Sequence, residues 1–244
     1  MNIVNIHTYY VLILVIELLD IIKNEIIDTQ KFESFLKEKK QYKFMNCNFP
    51  ECKISDLEFE SIVFESCNMK EITFLDTKIS NCNFSKTNIQ KAEFLGCSVD
   101  NCIFDACDLA NCNFSNSNKN LKLYWTKFKN CRMIGTNFYG IQSNKITFEN
   151  CILRLAYFYG FNFKKQTLTG LDLTEADICD CNFDEAILEN SSFRNANFKG
   201  INSFYNTDLR DCDIGGIKSE KIMGSFISKT QATELLSKLN IKVI

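Results

Sequence analysis

Cysteine is the residue type whose abundance first suggests chemistry, because the 244-residue chain contains 13 cysteines and a single histidine. That histidine, His7, lies in an apolar N-terminal stretch, so no Ser/Cys–His–Asp arrangement is available. The sequence contains no HExxH motif and no glycine-rich phosphate loop. We therefore expect a protein that is not an enzyme and that holds no cofactor.

The spacing of the cysteines also argues against a metal centre. Most of them are 5, 15 or 20 residues apart, and none forms the CxxC pair of a zinc site. Pairs twenty residues apart, such as Cys47/Cys67 and Cys131/Cys151, would lie close enough for disulfide chemistry if the chain stacked with that period. The thiols are therefore either structural or, alternatively, redox-active or metal-binding.

A five-residue repeat runs through most of the chain and includes these cysteines. Steps of five from Phe44 to Phe114 meet an apolar residue at all fifteen positions. After a slip of one position, fifteen of the sixteen centres from Leu123 to Phe198 are apolar, with Ser143 as the exception. Twelve of the thirteen cysteines lie two residues before such a centre, and the remaining positions are mostly polar. Each unit therefore directs two side chains inward and three outward.

This period matches neither a helix nor a single strand, whose periods are 3.6 and 2. A chain that turns a corner every five residues coils into a square tube with four units per turn, in which residues twenty apart stack. Phe44, Phe64, Phe84 and Phe104 would then form one internal ladder. Successive turns should lie about 4.8 Å apart, as hydrogen-bonded strands do. The pattern predicts an all-β solenoid, with cysteine as a small residue at the inner corner.

Several units match a known motif. The stretches ANCNF, EADIC, NANFK and NTDLR resemble the A(D/N)LXX motif of the pentapeptide-repeat family, and the resemblance covers about residues 42–216. It implies a right-handed quadrilateral β-helix of about eight and a half turns, roughly 40 Å long at the strand spacing.

The C-terminal segment predicts a cap for the open end of the solenoid. Ser228 can act as the N-cap of a short helix, with Gln231 as its capping-box partner. The stretch QATELLSKLNIKVI looks like the C-terminal segment of the quinolone-resistance (Qnr) pentapeptide-repeat proteins, which dimerise there. A plain cap is the alternative. The resemblance implies a homodimer interface at Leu235, Leu236, Leu239, Ile241 and Val243.

The N-terminal segment, residues 1–40, reads as helix and is apolar nearly all round up to Ile22. Its uncharged part is too short to span a bilayer, since Glu17 and Asp20 interrupt it. It is a helical cap over the first coil, a helix that binds a partner or a membrane surface, or disordered. We therefore divide the chain into an N-terminal cap at 1–40, a β-helix at 41–216 and a C-terminal helix with dimerisation segment at 217–244.

Residues 166–193 carry seven acidic side chains and neither lysine nor arginine. The resemblance implies that an acidic rod imitates the phosphate charge of duplex DNA and occupies the DNA-binding groove of a topoisomerase. A solvated surface is the alternative. The predicted acidic face consists of Asp172, Glu175, Asp177, Asp180, Asp184, Glu185 and Glu189.

Two other surface features, a polar stretch and a pair of tyrosines, precede the acidic stretch in the sequence. The polar stretch SNSNKNLK at 115–122 predicts a loop at the slip in the repeat. The Qnr-like proteins carry protruding loops that contact gyrase, so the resemblance implies contacts through Asn116, Asn118, Lys119 and Asn120. Tyr139 and Tyr159 should stack as an exposed pair, either as interface anchors or as a support for the sheet.

The function predicted from these observations and from the resemblance is antibiotic resistance by target protection. The protein would be a cytoplasmic, DNA-mimicking homodimer that binds DNA gyrase or topoisomerase IV and protects it from a quinolone or a natural poison. The net charge of −2 gives no basic field for direct nucleic-acid binding. No secretory signal is evident, so the thiols should be reduced. The alternative is a structural scaffold or effector that presents a β-helical surface to another protein.

Overall fold

The computed structural model describes residues 19–115, 121–215, 217–238 and 240–241. Within these ranges the chain forms a parallel β-solenoid of about nine turns, which confirms the predicted fold class. The described strands are, in chain order, β1 Asp20–Lys23, β2 Tyr42–Met45, β3 Lys53–Ser55, β4 Glu58–Glu60, β5 Val63–Glu65, β6 Thr73–Leu75, β7 Lys78–Ser80, β8 Asn83–Ser85, β9 Glu93–Leu95, β10 Ser98–Asp100, β11 Ile103–Asp105, β12 Lys122–Tyr124, β13 Lys127–Lys129, β14 Asn137–Tyr139, β15 Gln142–Asn144, β16 Thr147–Glu149, β17 Tyr157–Tyr159, β18 Thr167–Thr169, β19 Asp177–Cys179, β20 Ile187–Glu189 and β21 Asn197–Lys199.

The solenoid has four faces, which the chain visits in the order A, B, C and D. Face A is the sheet β1-β2-β5-β8-β11-β13-β16-β18-β20, and face D begins with the sheet β4-β7-β10-β12-β15. Face C consists of the sheets β3-β6-β9 and β14-β17-β19-β21, which Asn113 bridges. Face B is held by single parallel bridges, the first between Ile26 and Asn48 and the last between Ser192 and Asp213. Faces A and C are therefore opposite each other, as are faces B and D.

The two slips in the repeat are insertions at corners that leave the stacking intact. Most paired residues are twenty positions apart, as in the pair Phe64–Phe84. Across the first slip, Val99 pairs with Leu123, so the loop between faces C and D inserts four residues. Across the second slip, Asn182 pairs with Ser203, which leaves one extra residue near Ile201. The stacked pairs on either side of both insertions keep their partners, so the internal columns continue past them.

Most of the described corners are made by one residue in the left-handed backbone conformation. In successive units this residue is Asn46, Glu51, Asp56 and Ser61, with φ between 49° and 59°. Asparagine, aspartate and glycine tolerate this region best, and they fill many of the corners. A corner built from one such residue explains why a chain with one proline and nine glycines can turn so often.

Stacked phenylalanine rings fill the interior. On face A the predicted ladder is confirmed: Phe64 and Phe84 stack at 4.8 Å, and Phe84 and Phe104 at 4.6 Å. A second ladder runs along face C through Phe138 and Phe158, at 5.0 Å. Each fully buried ring contributes about 1.5–3 kcal/mol to stability before entropy costs.

Helices cover both ends of the interior. Helix α1, Thr29–Lys37, places the fully buried Phe32 between the rings of Phe44 and Phe49, at 5.9 Å from each. Helix α2, Lys229–Lys238, packs Leu235 against the other end of the core. No helix among the described residues is both long enough and apolar enough to cross a bilayer.

The ends differ in two respects from the predicted boundaries. The expectation of helix throughout residues 1–40 is wrong for β1, which pairs in parallel with β2 and so belongs to the first coil. Within residues 19–40, the described part of this segment, helix is confined to α1, whose apolar face covers the core. Residues 1–18 lie outside the described ranges. The solenoid also continues beyond residue 216, because Asp208 bridges Phe226.

Candidate partner-binding surface

The acidic stretch winds around the rod. Asp172 and Glu175 lie on face B, Asp177 and Asp180 on face C, Asp184 and Glu185 on face D, and Glu189 on face A. A chain that changes face every five residues distributes these 28 consecutive residues over all four faces, so the predicted acidic surface is a belt around the rod. We call this belt, residues 166–193, the acidic coil.

Cations of the neighbouring coils partly neutralise the acidic coil. Lys199 Nζ lies 3.2 Å from Asp177 Oδ1 on face C. Lys164 and Lys165 both approach Glu185 on face D, at 3.6 and 3.4 Å. These partners lie about one coil away along the rod, so a count of charges within residues 166–193 does not include them.

Asp172 on face B shows how these contacts act on a carboxylate. Partial burial opposes its ionisation, but hydrogen bonds from Thr174 and the Arg154 guanidinium outweigh that effect, so the pKa of Asp172 is lowered. Arg154 lies on the preceding coil, eighteen residues earlier. Asp172 is therefore ionised at neutral pH but already has a cationic partner.

Two further carboxylates of the acidic coil support the second insertion. Asp180 Oδ1 accepts a hydrogen bond from the backbone N–H of Ile201 at 2.7 Å. Asp184 Oδ1 accepts one from the backbone N–H of Tyr205 at 2.9 Å and another from the Ser203 hydroxyl. Glu175, at the corner after face B, and Glu189, on strand β20 of face A, are by contrast exposed. These two glutamates are the members of the acidic coil most open to a partner.

The predicted contact loop falls in the sequence between Asn113 on face C and β12 on face D. Its described ends are Ser115, after the buried Phe114, and the buried Leu121. The predicted contact residues Asn116, Asn118, Lys119 and Asn120 lie outside the described ranges.

Exposed aromatic side chains lie on faces C and D after this loop. Tyr139 and Tyr159 on face C are 40% and 39% exposed, with ring centroids 5.0 Å apart, as their twenty-residue separation predicts. Tyr157, which the sequence analysis missed, stacks on Tyr139 at 5.8 Å. The sequence contained the signal for this contact, because Tyr157 and Tyr159 belong to the same strand, β17, and that strand pairs with the one that holds Tyr139. On face D, Trp125 is 55% exposed and Lys145 Nζ lies 3.6 Å from its ring centroid.

The C-terminal helix forms the predicted capping box. Gln231 Oε1 accepts a hydrogen bond from the Ser228 backbone at 2.7 Å, and Ser228 Oγ accepts one from the Gln231 backbone at 3.3 Å. Of the predicted dimer residues, Leu235 and Leu236 are half-buried and Ile241 is 49% exposed. Leu239 and Val243 lie outside the described ranges.

The thirteen cysteines are free thiols, and all but the partly exposed Cys179 are buried. At the inner corner their thiols donate to main-chain carbonyls of the preceding coil, as Cys107 does to Phe84 at 3.2 Å. Threonine makes the same contact at an equivalent corner, from Thr87 to Phe64 at 3.2 Å. Among the described residues no group of three or more histidine, cysteine or acidic side chains could hold a metal ion.

Comparison with known proteins agrees with the architecture. The family described as "Pentapeptide repeats" matches residues 67–105 and 172–216, in eight copies. These two stretches of the chain are therefore pentapeptide repeats. The chain shares its fold with a trypsin-treated form of QnrB1, a plasmid-mediated fluoroquinolone resistance protein, at 21% identity and a TM-score of 0.53. The alignment covers 93% of this chain and 97% of QnrB1.

Two further solved structures match with lower TM-scores. Full-length QnrB1 is 22% identical, with 91% of this chain and 98% of QnrB1 covered and a TM-score of 0.41. HetL, which is involved in heterocyst differentiation regulation in Nostoc sp. strain PCC 7120, is 12% identical, with 84% of each chain covered and a TM-score of 0.27. No curated protein sequence matches the chain.

Proposed function

We propose that this protein is a non-enzymatic partner of DNA gyrase or topoisomerase IV that protects the enzyme from a quinolone or a natural poison. The observation that carries the proposal is a charged rod whose fold is shared, over nearly its whole length, with a fluoroquinolone resistance protein. The proposal includes a cytoplasmic location and a homodimer formed through α2 and the residues after it.

The acidic coil supplies the contact in this proposal. The seven carboxylates of residues 166–193 lie within about 1.4 coils, or about 7 Å of rod, a density of the same order as the one charge per about 1.7 Å of duplex DNA. Arg154, Lys164, Lys165 and Lys199 reduce the net charge of this region to −3. The resulting imitation of DNA is local and partial, and Glu175 and Glu189 are its most open points.

A scaffold or effector that presents the β-helical surface to an unrelated protein is the second candidate. The exposed aromatic side chains favour it, since tyrosine and tryptophan are common anchors of protein interfaces. This function would need no acidic coil, and the two candidates therefore differ in the effect of removing its charge.

A supercoiling assay distinguishes the candidates. Purified gyrase is treated with ciprofloxacin, with and without the protein, and the proposal expects supercoiling to be restored by added protein. The double variant Glu175→Gln/Glu189→Gln should restore less. Glu51→Gln is the matched control, because Glu51 occupies the same corner of face B as Glu175, six coils earlier. If the protein neither restores supercoiling under drug nor inhibits it without drug, the topoisomerase proposal fails and the scaffold remains.

A further inference from the structure

A second charged belt lies directly before the acidic coil and has the opposite sign. Residues 121–165 contain eight lysine and arginine side chains and a single acidic one, Glu149. On face A, Glu149 is shared by Lys127 and Lys129, at 3.2 and 3.1 Å. The arginines of face B pair with carboxylates of adjacent coils. The other four lysines of this belt, Lys122, Lys145, Lys164 and Lys165, lie on face D, where Lys164 and Lys165 share the carboxylate of Glu185 on the next coil. Face D therefore carries more cations of this belt than any other face.

Large and charged side chains are stacked in a column at the corner that follows face D. Successive coils place Trp125, Lys145, Lys165 and then Glu185 at the left-handed position. A large side chain is disfavoured in this backbone region. Trp125 has φ 52° and is 55% exposed, whereas the two preceding coils hold Asn81 and Asn101 at the same position. The fold therefore does not require the ring, and the Lys145 ammonium at 3.6 Å holds it in place.

The arrangement of the aromatic rings suits a protein partner better than a nucleic acid. Single-stranded nucleic acids bind through bases that stack on open aromatic faces. Here Tyr139 is stacked on Tyr157, and one face of Trp125 is covered by Lys145. The tyrosines of face C and Trp125 and the lysines of face D therefore expose ring edges, hydroxyl groups and ammonium groups. This composition is typical of a protein interface with aromatic anchors and a charged rim.

We propose that face D carries a second docking surface, formed by Trp125, Lys145, Lys164 and Lys165, that binds an acidic patch on the topoisomerase. This inference rests on the proposed function and specifies it. The surface changes from basic to acidic between Lys165 and Glu185, and Trp125 lies about 15 Å along the rod from Glu185 at the strand spacing. The partner must therefore present an acidic patch beside its basic DNA-binding groove. This change of sign fixes the position of the rod along the enzyme, which a uniformly acidic rod could not do.

The test is the binding of immobilised protein to purified DNA gyrase, measured by biolayer interferometry with wild type and two matched variants. Trp125→Asn removes the ring and installs the residue that the equivalent corners already hold, so the fold is kept. Leu155→Asn is the control, since Leu155 is also 58% exposed, has φ 57° and lies on the opposite face. We expect Trp125→Asn to weaken binding at least tenfold and Leu155→Asn to change it less than twofold.

Each other outcome overturns the inference. If Trp125→Asn binds gyrase as tightly as the wild type does, the second docking surface is wrong while the proposed function stands. If the wild type does not bind gyrase, both fail together. If Trp125→Asn loses affinity for a fluorescein-labelled (dT)20 oligonucleotide and not for gyrase, the surface is a nucleic-acid site.

Discussion

At the scale of single residues, cysteine serves as a small hydrogen-bond donor that fits the inner corner of the coil. Loss of hydration there raises the pKa of Cys97 to about 11, and the pKa values of Cys67 and Cys212 to about 12. These thiols are neutral in the folded protein well above the pH at which an unfolded thiol ionises. Their chemistry is therefore suppressed by the fold that they help to build.

A pH dependence of stability follows from this burial. Above about pH 9 the unfolded chain loses thiol protons that the folded chain keeps, so the free energy of unfolding should fall as pH rises. The slope is at most about 1.4 kcal/mol per pH unit for each such thiol. Urea unfolding at pH 8.0 and 9.5, under reducing conditions, measures it.

The double variant Cys67→Thr/Cys97→Thr is the control, because threonine already fills equivalent corners at Thr77 and Thr87. The variant should lose less stability than the wild type between these pH values. Equal losses in the two proteins would show that the buried thiols do not set the dependence.

The sequence predicted which residues are buried better than it predicted which ones meet at the surface. The inner positions follow from a strict five-residue pattern, and the Phe64–Phe84–Phe104 ladder follows from its fourfold multiple. Ion pairs such as Lys165–Glu185 join residues twenty apart, so they are invisible in a local count of charge. Counting charge by face and by coil would have found them.

At the scale of elements, the two caps hold the ends of the interior closed by different means. Helix α1 inserts Phe32 among aromatic rings. Helix α2 is attached through Gln231, whose side-chain amide donates to the carbonyls of Leu209 at 2.7 Å and Cys212 at 2.8 Å. The Gln231 side chain therefore forms hydrogen bonds both with the backbone N–H of Ser228 before α2 and with the two carbonyls at the corner of residues 209–212.

Replacing this amide should loosen the C-terminal cap. Gln231→Ala removes the side-chain donor from the buried Cys212 carbonyl, one of the two donors to the Leu209 carbonyl, and half of the capping box. We therefore expect a loss of about 1–3 kcal/mol in the free energy of unfolding. Chemical denaturation measures the loss, and amide hydrogen exchange should show faster exchange around residues 209–212. Thr233→Ala, on the exposed side of the same helix, is the control, with a change within about 0.5 kcal/mol. Equal stability of the two variants would contradict this role of Gln231.

The helices were harder to place from the sequence than the repeats. The Ser228–Gln231 capping box was predicted correctly because its signature is local. The prediction of one helix over the N-terminal segment was wrong at β1, because this strand pairs with β2, more than twenty residues later. Such pairing is decided by the tertiary structure and leaves no signal within the segment.

At the scale of the whole molecule, the dimer of the proposed function depends on the segment after α2. Sedimentation equilibrium should give twice the 28.2 kDa of the single chain. Ile241→Asp should return the protein to the single-chain mass, because Ile241 is 49% exposed and can be charged without disturbing the core. Asn240→Asp, with the same added charge one residue earlier, is the control and should stay dimeric. A wild-type protein of single-chain mass at 50 µM would contradict the dimer.

The sign of the charge changes along the rod between residues 121–165 and residues 166–193, and this change determines which enzyme surfaces the rod can bind. The acidic coil follows a belt of opposite sign, and the ion pairs between the belts lower the field of each. In the proposed function the imitation of DNA is therefore confined to a short part of the surface, and we predict that its attraction for a basic groove weakens steeply as salt is added.

Competition for gyrase tests the account most directly. A fluorescein-labelled DNA duplex is bound to purified gyrase at low salt, and its fluorescence anisotropy is followed as the protein is added. We predict that the protein lowers the anisotropy to that of the free duplex, and that Glu175→Gln/Glu189→Gln requires a higher concentration to do so than Glu51→Gln. A duplex that stays bound to gyrase while the protein itself saturates the enzyme would contradict the account.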